Sequence, residues 1–423
     1  MRITQLSISD FRGIRALTVD LSQCQVAIFI GANGAGKSSV LDAVAIALTR
    51  ITAQLGATGA GKRHIQTTDI NNRQASTSVK IDLERRGQPY NWLLTRKGRN
   101  AKTEEVAHLI SRLDDVKKLA AALQDDLNSG TAASVPVLAY YPVNRAVLDI
   151  PLKIRVTHDF SPLGAFENAL TSATNFRVFF EWFRNREDIE NEKRIDTPNF
   201  RDPSLEAVRT AIQTFMSGCT QLRVRRNPLR MTLNKADEEV LINQLSDGEK
   251  CLLALIGDLA RRFAIANPNS AKPLSGEGIV LIDEIELHLH PAWQRSVVHQ
   301  LKSTFPNCQF LISTHSPQVL GDGKDSEIFA ITKQANAIDD KINLITPLGN
   351  TYGADSNRIL DELMGAGTRT SEVSNSFKEL FLQIENKNWE RVTYLSNQLE
   401  EQIDNDDPDL LKARLLIRLK GGN

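Results

Sequence analysis

The sequence predicts an α/β fold with a mixed central sheet that carries a phosphate-binding loop, plus a helical insertion and a helical C-terminal region. Three stretches predict it. Gln25 to Ile30 reads as a buried strand. It runs into Gly31-Ala32-Asn33-Gly34-Ala35-Gly36-Lys37-Ser38, the spacing G-x-x-x-x-G-K-S, and then into the apolar helix Ser39 to Leu48. Gly278 to Glu284 (GIVLIDE) is an apolar strand closed by two carboxylates, and Phe310 to His315 (FLISTH) is another strand ending in polar groups. In an open α/β sheet such strand ends face the ligand crevice.

The chemistry of these stretches follows from their residue types. Glycines at 31, 34 and 36 let the backbone of Gly31, Asn33, Gly34, Ala35 and Gly36 wrap closely, so that several N–H groups point at one phosphate chain. Lys37 adds charge near the β and γ phosphates. Ser38, with Ser39 beside it, offers a hydroxyl to Mg²⁺, and the helix N-terminus adds its dipole. Asp283 is placed to hold Mg²⁺, directly or through water. Glu284 is placed to orient and deprotonate an attacking water. If the two apolar strands are neighbours, His315 lies beside Glu284 and contacts the γ-phosphate or that water; the alternative is a histidine that caps a strand end. Ser246 and Gly248, in QLSDGEK before the apolar helix CLLALIGDLA, form a second anion-binding helix start. Ser246 with Glu249 three residues on also reads as a capping box.

The remaining elements follow in chain order. Residues 1–30 predict antiparallel strands with a turn at Gly13, and 76–98 a hairpin around Arg86-Gly87-Gln88-Pro89. A helix is expected over 103–127, with Val106, Leu109, Ile110, Leu113 and Val116 on its apolar face, and a strand over Val135 to Tyr140. Residues 160–217 read as helical, with Phe166, Phe176, Phe179, Phe180, Trp182 and Phe183 as core or, in the sharper alternative, a docking face. Residues 221–233 read as strands bearing Arg223, Arg225, Arg226 and Arg230, a solvated face or a nucleic-acid backbone contact. A hairpin over 327–345 and helices over about 355–420 complete the chain. His288 and His290 read as helix entry rather than metal ligands, and Asp404 to Asp409 as a solvated turn. Four segments are expected: 1–100 and 236–345 as the two parts of one head, 101–235 as an insertion, and 346–423 as a helical region.

Bulk composition narrows the function classes. The 423 residues are 41% hydrophobic and 24% charged, with a net charge of zero, so no whole-molecule basic field attracts nucleic acid. No apolar run is long enough for a membrane span, and MRITQLSISDFRG lacks the apolar centre of a signal peptide. The four cysteines (Cys24, Cys219, Cys251, Cys308) are far apart, as expected for buried thiols of a cytoplasmic protein rather than a zinc or disulfide framework.

With Asp10-Phe11-Arg12-Gly13-Ile14 at the start, the order of these motifs resembles the ABC-type ATPase head of the SMC, RecF and OLD-like group. The resemblance covers about residues 1–100 and 236–330. It implies that Arg12 approaches the phosphates and that ATP and Mg²⁺ are bound. It also implies that Ser246 of one head touches a γ-phosphate held by another, in at least a head-to-head dimer. The signature LSDGE differs from the LSGGQ of transporter heads and speaks against membrane transport. A Gln loop is expected, with Gln66 and Gln74 as candidates. No heptads separate the P-loop from the signature, so no coiled-coil arm is expected, and no Toprim-like acidic set suggests a nuclease centre. YYPVNR, ending in Arg145, is similar to a stretch in stand-alone ATPases of phage-defence operons. Overall the chain resembles PtuA-type ATPases of Septu and retron-associated systems. That likeness implies an Mg²⁺-dependent ATPase that oligomerises and regulates a separate HNH nuclease subunit (PtuB-like). Two other readings stay open: a RecF-like DNA-binding ATPase of repair, and a slow-hydrolysing nucleotide sensor or scaffold.

Overall fold

Strands β1 (Arg2–Phe11) and β2 (Ile14–Asp20) pair antiparallel about Arg12-Gly13, as the sequence suggests. Strand β3 (Val26–Ile30) departs from that expectation: it joins a different sheet, where its neighbours are parallel. Its five residues are all buried, so both faces need cover, which parallel α/β sheets provide. Helix α1 (Lys37–Gln54) follows the loop. Strands β4 (Ser76–Arg85) and β5 (Gln88–Lys97) form the predicted hairpin, with Arg85 opposite Gln88. The two turn residues, Arg86 and Gly87, both have positive φ (50° and 77°), the geometry that matches strand twist in a two-residue hairpin. Pro89 is tolerated because β5 is the edge of the sheet β2-β1-β4-β5.

The computed structural model describes residues 1–57, 59–72, 74–98, 110–128, 134–143, 161–171, 176–320, 327–336, 339–345, 371–404 and 406–421. The chain divides into two compact units, 1–355 and 356–423. The first continues with α2 (Asp114–Asn128), β6 (Val137–Tyr141), α3 (Phe176–Asp196), α4 (Pro203–Phe215), β7 (Cys219–Arg226), β8 (Leu229–Lys235) and β9 (Glu238–Leu241). Then come α5 (Asp247–Ala266), β10 (Gly278–Ile282), α6 (Pro291–Thr304), β11 (Cys308–Ser313), α7 (Pro317–Leu320), β12 (Ile328–Asn336) and β13 (Asp339–Ile345). Among the described residues the central sheet has the order β13-β12-β3-β11-β10-β6, and β7-β8-β9 form a small separate sheet. The sheet is mixed, because β12 lies parallel to β3 but antiparallel to β13.

Register decides where the site falls. Ile312 of β11 lies opposite both Ile28 of β3 and Ile282 of β10. The three chain segments that leave these strands therefore emerge side by side at one sheet edge.

One helical expectation needs correction. The 103–127 helix begins only at Asp114, and residues 99–109 lie outside the described residues. Residues 110–113 are extended instead, because Arg112 exchanges backbone hydrogen bonds with Leu93 of β5 (2.9 and 3.1 Å). Residues 160–217 are helical as expected, in separate segments: Asp202 caps α4 through the Leu205 N–H, and Pro203 starts that helix. The aromatic cluster, Phe166, Phe176, Phe179, Phe180, Trp182 and Phe183, is buried as core. All four cysteines are buried thiols.

The second unit contains α8 (Ser371–Glu385), α9 (Trp389–Gln402) and α10 (Pro408–Leu419) around a core that includes Leu380, Ile384, Leu395, Leu399 and Leu410. Asp407 caps α10 by accepting the Asp409 and Leu410 N–H groups, so the acidic stretch is a helix start. No described helix is long and apolar enough to cross a membrane.

Candidate functional site

The loop after β3 is built by backbone freedom. Gly31, Gly34 and Gly36 have φ of 149°, 74° and 109°. A Cβ on Gly31 would meet the Ile331 carbonyl of β12 at 2.5 Å, so only glycine fits there. Asn33 and Gly34 are exposed at the loop tip, Ala35 is buried, Ser38 is exposed and Ser39 half-buried. Lys37 is 5% exposed, and its Nζ donates to the carbonyls of Gly31 (2.9 Å) and Ala32 (3.2 Å). Burial lowers the Lys37 pKa, while Glu284, Asp283 and Glu286 pull it up. The ammonium thus faces an acidic wall across the loop.

That wall comes from β10 and β11. Ser38 Oγ donates to Asp283 Oδ1 at 3.1 Å, so the hydroxyl and the carboxylate already share one point. Ser313 Oγ donates to the same Oδ1, and the Asp283 N–H donates to the Tyr141 carbonyl at 2.9 Å. Asp283 is therefore held from β11 and β6 at once. Glu284 sits at φ 46°, a left-handed turn, and its N–H donates to Ser313 Oγ at 2.8 Å. His315 Nε2 lies 3.9 Å from Glu284 Oε1, with both side chains about one-third exposed. The predicted neighbourhood of these two residues is thus present.

Sequence reasoning missed the groups that hold this pair. Glu286 accepts from Thr314 Oγ1 (2.8 Å) and from the His315 N–H, fixing the end of β11. Gln294 of α6 accepts from Ser316 Oγ at 2.6 Å. The available signal was a third carboxylate in DEIE, two residues past Glu284. A second omission is Asp42, one helical turn past Ser38. It takes Arg12 Nη1 and Arg63 Nη2, each at 2.6 Å, while Arg12 Nε donates to Asp69 at 2.9 Å. Arg12 therefore reaches α1 at Asp42 and is held by two carboxylates. Arg63 also stacks over the Tyr140 ring, 5.2 Å from its centre.

The other candidates are placed as follows. Ser246 is the N-cap of α5, and its capping box with Glu249 is complete: Oγ accepts the Glu249 N–H and donates to Oε2 at 2.8 Å. Ser246 and Asp247 are nonetheless exposed. Gly248 has a reason inside its own chain, because a Cβ there would lie 2.3 Å from the His288 carbonyl. Gln66 is exposed with its amide on the His64 carbonyl (3.3 Å), and Gln74 is half-buried. His290 caps α6, with Nδ1 accepting the Ala292 N–H, and His288 forms the turn before it at φ 64°. No group of three or more metal-ligating side chains occurs among the described residues. Arg225 pairs with Glu239, and Arg226 with Glu187 and Asp188. Arg145 lies outside the described residues.

Residues 26–321 match the family model described as "AAA domain, putative AbiEii toxin, Type IV TA system". The chain is 32% identical over 411 residues to "Retron Vc95 probable ATPase" of Vibrio cholerae serotype O1 biovar El Tor, covering 85% of this chain and 78% of that protein. It is 27% identical to "Retron Ec83 probable ATPase" of Escherichia coli, over 99% of this chain and 86% of that one. It is 25% identical to "Septu protein PtuA" of Bacillus thuringiensis, over 47% of this chain and 50% of that protein. Among solved structures, the "SMC head domain from Thermotoga maritima" aligns with a TM-score of 0.44 and 15% identity, over 82% of this chain and 100% of that chain.

Proposed function

Because the chain belongs to this AAA_21 family, we propose that it is the ATP-hydrolysing subunit of an anti-phage defence system in the cytoplasm. We infer further that it works as a nucleotide-controlled homo-oligomer and regulates a separate nuclease subunit. The observation that carries the hydrolytic reading is the convergence of Ser38, Asp283, Glu284 and His315 at one edge of three parallel strands in register.

The residues fit an Mg²⁺–ATP complex. The glycine-rich cradle and the Lys37 ammonium suit a phosphate chain, and the shared point between Ser38 Oγ and Asp283 suits a hard divalent cation. When bound, Mg²⁺ would neutralise charge on the β and γ phosphates. The chain's own groups do the rest. Lys37 exchanges its two loop carbonyls for phosphate oxygens. Glu284 accepts the proton of the attacking water, and His315 orients that water against the carboxylate. Glu286 holds the His315 backbone still. Phosphoryl transfer rests on positioning and charge stabilisation, which this arrangement supplies. The exposed start of α5, with Ser246 at its tip, is suited to complete the site of a second copy. The Septu relative supports a nuclease partner only by resemblance.

Glu284→Gln is the direct test. Hydrolysis is expected to fall by about 10²–10⁴-fold with ATP binding retained, and the ATP-bound oligomer should accumulate in size-exclusion light scattering. An unchanged turnover number would remove Glu284 from its role; lost ATP binding would show that the carboxylate serves the cradle instead.

A further inference from the structure

Asp42 is a carboxylate inside the phosphate-loop helix that the hydrolytic chemistry does not use. It lies on α1 four residues past Ser38, so the two share one face of the helix with Cβ atoms about 5–6 Å apart. Helical side chains lean toward the N-terminus, which carries the Asp42 carboxylate back over the turn of Ser38. Its two oxygens take one guanidinium each: Oδ2 accepts from Arg12 and Oδ1 from Arg63, both at 2.6 Å. The ring of Tyr140 lies under Arg63, and burial, then the Asp42 and Asp283 carboxylates, push the Tyr140 hydroxyl up. One phenol thus feels both acids, which places the cluster beside the point where Ser38 meets Asp283.

The two arginines depend on Asp42 unequally. Arg12 is pinned through its backbone: its N–H donates to the Asp69 carbonyl at 2.7 Å, and its carbonyl accepts from Asn71 Nδ2 at 2.8 Å. Its Nε also has the Asp69 carboxylate. The Arg63 side chain has no other carboxylate among the described residues, and its remaining hydrogen bond is a long one, to the Leu170 carbonyl at 3.5 Å. Both keep donors in reserve. Arg12 Nη2 and Arg63 Nε make no hydrogen bond among the described residues, and the side chains are 35% and 25% exposed. Two like charges this close repel unless an anion sits between them, and Asp42 is that anion.

We propose that Asp42 is a positioning residue for nucleotide binding: it gathers Arg12 and Arg63 into one cationic pair at the Ser38 end of α1 and keeps their spare N–H groups ready for the phosphate oxygens of ATP. The inference rests on the nucleotide reading of the loop. It fixes the sign of one effect. Removing a negative charge beside a phosphate site should, by field alone, tighten binding. Loss of positioning weakens it instead, because the ligand must then order Arg63 for itself.

The test is isothermal titration calorimetry of the full chain with the non-hydrolysable analogue AMP-PNP and Mg²⁺. Asp42→Asn, close in shape but uncharged, should weaken binding about tenfold, and Arg63→Ala by about the same factor. The double variant should bind no more than about twofold weaker than either single one, because both changes remove the same alignment. Unchanged or tighter binding by Asp42→Asn overturns the proposal. Additive losses also overturn it, since they would mean that Asp42 acts on the fold of the loop and not through Arg63. Should Asp42→Asn fail to fold, Asp42→Glu and Arg63→Lys exchange reach between the partners; combined, they should bind better than either alone, and the lack of such rescue overturns the proposal. A wild type that binds no AMP-PNP would overturn the nucleotide reading itself and this inference with it, whereas a wild type that binds beside an unaltered variant overturns this inference alone.

Discussion

Asp258→Ala should destabilise the first unit far more than an ordinary helix substitution. Asp258 lies in α5 among apolar residues and is 1% exposed. It accepts from Arg261 Nη2 and Arg262 Nε, both at 2.7 Å, and from the Tyr141 hydroxyl at 2.9 Å. Arg262 in turn donates to the carbonyls of Ala165 (2.7 Å) and Glu167 (3.0 Å). Burial alone would raise the Asp258 pKa, but Arg262 and Arg261 outweigh it and hold the carboxyl down to about 2. Because the folded-state pKa is depressed, this stabilisation is present above the unfolded value near 4 and is lost as pH falls through about 2. At neutral pH the shift corresponds to about 2 kcal/mol. Truncation costs more, because it strands two buried guanidiniums; removing one partner of such a cluster costs about 3–5 kcal/mol. With an unfolding entropy of about 2.1 cal/mol/K per residue over about 355 residues, that becomes a fall in Tm of about 4–7 °C. Differential scanning calorimetry at pH 7 reads it directly. Tyr141→Phe, which removes one bond to the charged carboxylate, should fall by about 2–4 °C on the same arithmetic. A change below about 1 °C for Asp258→Ala would refute the reasoning, since it would mean that the guanidiniums reach water or other acceptors at no cost.

Other substitutions separate packing from chemistry. Gly248→Ala drives a methyl against the His288 carbonyl and should cost about 1–3 kcal/mol in chemical denaturation, with hydrolysis falling as well. Ser246→Ala should cost only about 1 kcal/mol as a lost helix cap; if the residue also completes a second copy's site, hydrolysis should fall by much more than that loss predicts, and an equal, small loss in both would leave it a cap alone. Glu286→Gln keeps the shape but weakens the hold on Thr314 and His315. The turnover number should drop with little change in KM for ATP, and a rise in KM alone would mean that Glu286 acts on binding.

Legibility in the sequence followed the range of the interactions. The P-loop could be read because its glycines and Lys37 act within eight successive residues, and GIVLIDE because an apolar run names its own strand. The Glu284–His315 pairing needed one guess, that β10 and β11 are neighbours, and that guess matches the sheet. What could not be read depends on partners distant in the chain. Leu113 fits a helical stripe, but the backbone of Arg112 pairs with Leu93, and pattern alone carries no record of that competitor. Arg12 could be named from its motif, but its ion pairs with Asp42 and Asp69 could not. Asp258 stood in plain view as an acid inside CLLALIGDLARRF, but its meaning required Tyr141, 117 positions earlier.

The neighbours of β3 have a consequence for synthesis. The strand VAIFI and its loop are made early, but the strands that flank them are β11 and β12, which begin at Cys308 and Ile328. At roughly 5–20 residues per second, translating the roughly 300 intervening residues takes about 15–60 s. During that interval the nascent loop has Lys37 and Ser38 but neither Asp283 nor the wall of β12 against which Gly31 closes. The loop can meet Asp283 and close against β12 only after most of the polypeptide has been made. Until then an apolar strand lacks both of its sheet neighbours, and such open edges are prone to pair with other chains.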